Sequence, residues 1–152
     1  MSAVRVSVRA VIIRDRQLLV TRNRDPWGDY YLLPGGGQHP GETMVSALQR
    51  ECMEEIGVTV HVGDLLYVRE YIGRNHEFAE YDGDVHQVEL MFSCALAGEA
   101  APALGSNPDA NQVSVVWLDL DELGQYRLYP AVLKELIPQT RKGGPVYLGD
   151  VN

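Results

Sequence analysis

The sequence predicts an α/β or α+β sandwich, a mixed sheet flanked by at least two helices. Three observations lead there. Residues 4–11 alternate apolar and polar, the stretch from Thr43 to Ile56 contains neither Gly nor Pro, and four later apolar runs are separated by polar, Gly- and Pro-containing connections.

Val4, Val6, Val8 and Ala10 give the first segment a period of two, as a half-buried strand requires. Gln17 to Val20 continues as a second strand, and the polar residues Arg14, Asp15 and Arg16 between them make a hairpin turn. Residues 23–30 are rich in turn formers, with Pro26 and Gly28, and the short run Tyr31 to Leu33 stops at Pro34-Gly35-Gly36-Gly37. Thr43 to Ile56 reads as a helix, stopped by Gly57. Val58 to Val62 and Leu65 to Ile72 read as two strands, followed by a polar loop over residues 73–84 that carries Glu77, Glu80, Asp82 and Asp84. Val85 to Ala97 and Val113 to Leu118 are further strands, joined by a long connection over residues 98–111 of the kind that is often functional or mobile. Asp121 to Leu123 is one helical turn, Ala131 to Ile137 a short helix started by Pro130, and the tail from Lys142 carries an edge strand at Val146 to Leu148.

With 152 residues, 45% of them apolar and 22% charged, one globular domain over residues 1–152 is expected, its core over about 4–137 and its tail over 138–152. Disordered chains and small disulfide scaffolds are excluded. The two cysteines, Cys52 and Cys94, form no Cys-x-x-Cys pair, which removes the usual zinc spacings and fits a reducing compartment. No apolar run approaches the ~18 residues of a membrane span, and residues 1–9 alternate basic and apolar where a signal peptide would have an apolar core. The expectation is a cytoplasmic protein without a membrane partner. Thirteen Lys and Arg stand against 21 Asp and Glu, a formal charge of −8 that disfavours a nucleic-acid duplex as partner. A small anionic substrate would then need a metal or a local basic cluster.

On a helical wheel of about 100° per residue, Val45, Leu48, Cys52 and Ile56 form a core-facing stripe, while Glu51, Glu54 and Glu55 gather on one flank. Like charges at these spacings cost about 0.2–0.5 kcal/mol per pair, and the C-terminal end of a helix dipole disfavours anions further. Arg50 offsets part of this charge. A hard divalent cation, which prefers oxygen ligands and bridges carboxylates to phosphates, would offset the rest. The alternative is a solvated acidic face.

Gly36, five residues, Glu42, seven residues, then Arg50-Glu51-Cys52-Met53-Glu54-Glu55-Ile56-Gly57-Val58 resembles the signature of the Nudix (MutT-like) hydrolases at every fixed position. Cys52 departs from the larger aliphatic residue usual there, and Tyr31 stands where an aromatic, often Trp, precedes Leu-Pro-Gly-Gly. The strand pattern and the stretch from Trp117-Leu118 to Asp121-Glu122-Leu123 extend the resemblance over about residues 4–137. It implies an α/β/α sandwich around a mixed sheet. The implied reaction is hydrolysis, by water attack at phosphorus, of a nucleoside diphosphate linked to another moiety X, with Mg²⁺, or Mn²⁺ in its place, as cofactor. By resemblance Glu51, Glu54 and Glu55 ligate the metal, joined by the Gly36 carbonyl, and Arg50 orients a glutamate. Glu42, at the helix start, has a structural or a catalytic role. The general base varies within the family: Glu54 is one candidate, Glu89 in the strand from Val88 to Phe92 another, and Glu77 and Glu80 come third.

Trp27 and Tyr30 are candidates for stacking on a base or sugar, the alternative being aromatics packed on their own loop. Arg69, Arg74 and His76 are candidates for a distal phosphate, with Arg69 better explained as a charged strand edge. Tyr71 lies close to a position used as a substrate hint in the family but out of register, no Pro is there, and the extended motif of NADH-cleaving members is missing. No particular substrate is therefore assigned. The competing readings are a nucleotide or nucleotide-sugar sensor on the same fold, which has no need of all three glutamates, and a protein-interaction scaffold. A homodimer is compatible with the resemblance.

Overall fold

The computed structural model describes residues 3–139 and 143–152. Met1, Ser2 and Lys142, on which the sequence reading also drew, lie outside the described residues. β1 (Arg5–Arg14) and β2 (Gln17–Asp25) form the expected hairpin, turned by Asp15 and Arg16 at φ 52° and 59°, the left-handed pair that a tight hairpin turn demands. The turn-rich stretch from Asn23 is more regular than expected. β2 runs on to Asp25, and β3 (Gly28–Leu32) pairs back antiparallel on it, pinned by Arg24 and Asp29 at 2.8 Å. The glycine run itself forms a strand, β4 (Gly35–Gly37), antiparallel to β1, with Val8 opposite Gly36 and Arg9 opposite Gly35.

α1 (Met44–Ile56) is capped by Thr43, whose hydroxyl accepts from the Ser46 N–H, and stopped by Gly57 at φ 69°, whose N–H donates to Cys52 and Met53 carbonyls. Its buried face consists of Ala47, Leu48, Cys52, Glu55 and Ile56, while Val45 is 44% exposed. The core stripe is therefore rotated toward the acidic flank relative to the wheel reading, because Met44 and Ala47 carry the first turn onto the core in place of Val45, and Glu55 is drawn inward by Gly35.

One bulged strand, β5 (Val60–Ile72), replaces the two expected, with register shifts around Leu65. The polar loop after it holds a 3₁₀ turn (Gly73–Asn75) and one turn of helix, α2 (Ala79–Asp82). β6 (His86–Leu96) runs parallel to β1 and antiparallel to β5. β7 (Gln112–Asp119) pairs with β2, a 3₁₀ helix spans Leu120–Gln125, and β8 (Leu128–Tyr129) lies beside β3. The second flanking helix, α3 (Leu133–Leu136), is a single turn, and β9 (Val146–Asp150) runs parallel to β5.

The strand order β8-β3-β2-β1-β6-β5-β9, with β4 on β1 and β7 on β2, is a mixed sheet coiled around the central strand β1. Both faces are covered. Val8, Ala10, Ile12 and Leu19 pack on α1 through Leu48, Cys52 and Ile56, while Val11, Leu18, Val20 and Met91 pack under Leu123, Leu128 and Leu133. β1 is thus buried on both sides from Ala10 to Ile12 and not half-buried. Cys52 is a packing residue, with no exposed surface, and burial pushes its thiol up.

Candidate active site

Arg50 sits at the centre of the acidic flank. Its Nε and Nη2 donate to the two Glu42 carboxylate oxygens at 2.8 and 2.9 Å, its Nη1 to Glu51 at 3.0 Å and Glu54 at 3.3 Å, and its Nη2 also to the Gly37 carbonyl at 2.9 Å. The bidentate grip holds Glu42 down to about 2, helped by the His39 N–H. Glu42 therefore anchors Arg50.

Glu55, two turns on from Ala47, is 2% exposed, and one carboxylate oxygen accepts from the Gly35 N–H at 3.0 Å. Burial pushes its carboxyl up to about 8 against the pull of Arg9, with the neighbouring Asp109 adding to the rise. Burial also raises Glu51, against Arg50. A Cβ on Gly36 would lie 2.6 Å from the Glu51 carboxyl carbon, so only glycine leaves this carboxylate its place. These residues do not form a freely solvated face.

The long connection over residues 98–111 folds back on the end of α1. Ala103, Gly105 and Asn107 N–H groups donate to the carbonyls of Ile56, Glu55 and Glu54 at 3.0, 3.2 and 3.1 Å. They meet the helix's unpaired carbonyls and soften its unfavourable C-terminal field. A Cβ on Gly105 would lie 2.2 Å from the Glu54 carbonyl oxygen. The same fold-back brings Asp109 beside Glu55. Sequence reasoning missed this neighbour, since backbone donors leave no side-chain signal.

Among the described residues, no three His, Cys, Asp or Glu side chains are gathered closely enough to hold a metal ion, because Arg50 holds Glu51 and Glu54. The donor set nonetheless suits a hard divalent cation: its oxygens are carboxylates, Glu55 has no cationic hydrogen-bond partner among the described residues, and Gly36 provides a cradle that a side chain would fill.

A cavity of about 460 Å³ is lined by aromatic rings and by Arg5, Arg9, Arg69 and Arg127. Its floor is Glu89, which is 2% exposed and accepts from Arg9 Nε at 2.9 Å, Arg69 Nε at 2.6 Å and Gln87 Nε2 at 2.8 Å. Burial alone would raise the Glu89 carboxyl; the two guanidinium groups outweigh it and hold the carboxyl below the usual range. Arg69 is not an exposed strand edge, because β9 covers the outer side of β5 and Arg69 donates to the Val151 carbonyl at 2.6 Å. Arg9 also donates to the Leu33 and Gly35 carbonyls, so the cavity floor and Glu55 are joined through Gly35.

Of the residues singled out for substrate, Trp27 and Tyr30 line this cavity, whereas Arg74 is exposed and does not. Glu77 accepts from Asn152, Glu80 faces water, and His76 contacts Asp150 at 2.6 Å. Arg5, Arg9, Arg127, Phe78, Tyr81 and Tyr129 are among the lining residues that sequence reasoning missed.

The family model described as the NUDIX domain matches residues 3–140, and the chain belongs to this hydrolase family. It is 40% identical over 67 residues to diphosphoinositol polyphosphate phosphohydrolase 2 from Homo sapiens, covering 44% of this chain and 36% of that protein. It is 31% identical over 94 residues to an ADP-ribose pyrophosphatase from Methanocaldococcus jannaschii, covering 61% of this chain and 52% of that one. The chain thus matches about half, or less, of the length of these relatives. A MutT NUDIX hydrolase structure from Burkholderia pseudomallei superposes with a TM-score of 0.62 at 26% identity, over 79% of this chain and 86% of the other. The mixed α+β fold expected from the sequence is the fold of this family. Among the described residues no helix is long and apolar enough to cross a membrane.

Proposed function

We propose that the chain hydrolyses the pyrophosphate bond of a nucleoside diphosphate linked to a second moiety X, by water attack at phosphorus. The observation that carries this reading is the position of Glu51 and Glu55 against the glycine strand, with Glu55 joined through two hydrogen bonds at Gly35 to Arg9 of a cavity lined with guanidinium groups. Nudix enzymes generally use divalent metals, and here the cation is Mg²⁺, replaceable by Mn²⁺. Glu51, Glu54 and Glu55 would hold it, with the Gly36 carbonyl beside them. When bound, such a cation offsets charge on the diphosphate oxygens and acidifies water.

Arg50 positions Glu51 and Glu54, whose remaining oxygen lone pairs would be offered to the cation. Glu54, 29% exposed at its side chain, is the carboxylate with room to take a proton from the attacking water. Glu89 is the weaker candidate, since both its oxygens are committed to Arg9, Arg69 and Gln87. Its role is to fix the guanidinium groups that receive the diphosphate.

The test is turnover of a panel of nucleoside diphosphate derivatives with Mg²⁺ and with EDTA. Mg²⁺-dependent cleavage that falls at least about a hundredfold in Glu54→Gln, with the fold intact, is expected. Saturable binding of a panel member with no turnover would instead make the chain a sensor.

A further inference from the structure

Beside the guanidinium-lined cavity lies a second recess, of about 360 Å³, bordered by the rings of Trp27, Phe78, Tyr81 and Tyr129 and by the carboxylates of Glu77 and Glu80. Trp27 and Tyr81 have ring centres 5.9 Å apart, and Phe78 lies 5.9 Å from Trp27 and 5.9 Å from Tyr129. These rings come from the β2–β3 turn, the α2 segment and β8, so Trp27 does not pack on its own loop. Interplanar angles of 47° to 76° mean that no ring of these pairs lies flat on its neighbour. Trp27 is 61% and Tyr81 68% exposed.

Ring faces carry the negative side of the aromatic quadrupole, and carboxylates beside them add full negative charge, which is the complement of a cation. Neither Glu77 nor Glu80 has a cationic partner among the described residues: Glu77 accepts from the neutral Asn152 amide at 3.0 Å, and Glu80 faces water. Arg127 also lines the recess, but both Asp25 oxygens answer its charge, at 3.1 and 2.7 Å. Its guanidinium lies 5.3 Å from the Tyr30 ring centre and 5.6 Å from that of Tyr129, so the protein already seats one cation on ring faces here. Among the described residues the recess sets two carboxylates against one guanidinium, whereas the larger cavity sets four guanidinium groups against three carboxylates. Two adjoining sites of opposite sign fit a ligand that carries both signs.

We propose that the recess receives a cationic moiety X, an alcohol bearing a quaternary ammonium group, esterified to the diphosphate that the guanidinium groups of the larger cavity hold. That the ammonium belongs to X rests on the hydrolase reading; the preference of the recess for an ammonium group rests on its own lining. A quaternary ammonium spreads its charge over apolar methyl groups and can lie against ring faces without leaving a hydrogen-bond donor unpaired.

The experiment is titration calorimetry in EDTA, where no turnover occurs, with CDP-choline, its uncharged isostere CDP-3,3-dimethylbutanol, in which carbon replaces the nitrogen, and CDP-glucose. CDP-choline is expected to bind at least about fivefold more tightly than the isostere. That ratio should fall to about twofold or less in Glu77→Gln/Glu80→Gln, and to about half its value or less in Tyr81→Leu, which keeps an apolar surface and removes a π-face. Gln preserves an acceptor for Asn152 and all three side chains are exposed, so the fold is not at stake. Equal affinity for CDP-choline and the isostere, no binding of CDP-choline, or a ratio that survives either variant overturns the proposal. A ratio of one together with Mg²⁺-dependent cleavage of CDP-glucose removes the cation recess and keeps the hydrolase; the expected ratios without Mg²⁺-dependent cleavage of any probe do the reverse.

Discussion

Glu55 and Glu89 are buried to the same degree, each 2% exposed, and their carboxyls are driven in opposite directions. Glu89 is met by guanidinium groups from both neighbouring strands, Arg9 on β1 and Arg69 on β5, and is held below the usual range. Glu55 is pushed up to about 8 by burial, against the pull of Arg9, and is met by the Asp109 carboxyl and one backbone N–H in place of a guanidinium group. Burial alone therefore does not mark a functional carboxylate. The protein answers the charge of Glu89 in full and that of Glu55 only in part, and in the proposed function the unanswered charge of Glu55 would go to a cation.

The largest effect expected from this contrast is in Glu89→Gln. It would leave Arg9 and Arg69 buried without their counter-charge, at a cost of about 3–5 kcal/mol in urea unfolding. A loss under about 1 kcal/mol would show that water reaches the trio. Gly35 joins the two carboxylates, giving its N–H to Glu55 and its carbonyl to Arg9. At φ 147°, with a Cβ due 2.0 Å from the Val8 carbonyl oxygen, Gly35→Ala should cost about 1–3 kcal/mol. Gly36→Ala meets only the movable end of Glu51 and should cost the fold far less while weakening Mn²⁺ binding. Equal losses of stability in the two variants would erase the distinction.

How legible each region was follows from where its partners lie. Arg50, Glu51, Glu54 and Glu55 occupy adjacent turns of one helix, so spacing alone put them together. Thr43 and Gly57 announced its ends, and Asp15-Arg16 its hairpin. The trio around Glu89 draws on strands 80 and 20 residues away, and no local pattern couples Arg9 or Arg69 to it. Arg69 read as an edge residue because the pairing of β9 on β5 is invisible until both are folded. Trp27 and Tyr30 were legible as aromatics near the glycine run, but Phe78, Tyr81 and Tyr129 reach them only through tertiary contact. Val45 failed for a simpler reason: the small Ala47 and the neighbouring Met44 bring the first turn onto the core one step round the helix, which leaves Val45 at the exposed margin.

Glu55→Gln isolates the other side of the contrast. Gln keeps an acceptor for the Gly35 N–H and removes no counter-charge, so in EDTA the stability should stay within about 1 kcal/mol of the wild type. Mn²⁺ affinity by titration calorimetry should fall at least about tenfold. Unchanged affinity would return Glu55 to the structural class and leave Glu51 and Glu54 as the metal's only side chains.

Asp150 on β9 offers a third carboxylate, hydrogen-bonded like Glu89 but within reach of water. Burial pushes it up, but Asn75 at 2.9 Å, His76 at 2.6 Å and the Ile72 N–H at 2.9 Å outweigh this and hold it at about 2. A carboxyl lowered from its ordinary 3.8 in the folded state contributes stability that is complete above about pH 4 and lost as pH falls through about 2. Screening at its 24% exposed side chain reduces the contribution to roughly 1 kcal/mol. Comparison with Asp150→Asn therefore has a definite sign: wild type is the more stable at pH 6, and the gap narrows toward zero at pH 2. A gap that stays constant over that range would mean that Asp150 ties β9 to the residue 72–76 loop as a neutral acceptor would, and that the contrast between answered and unanswered charge belongs to the buried carboxylates alone.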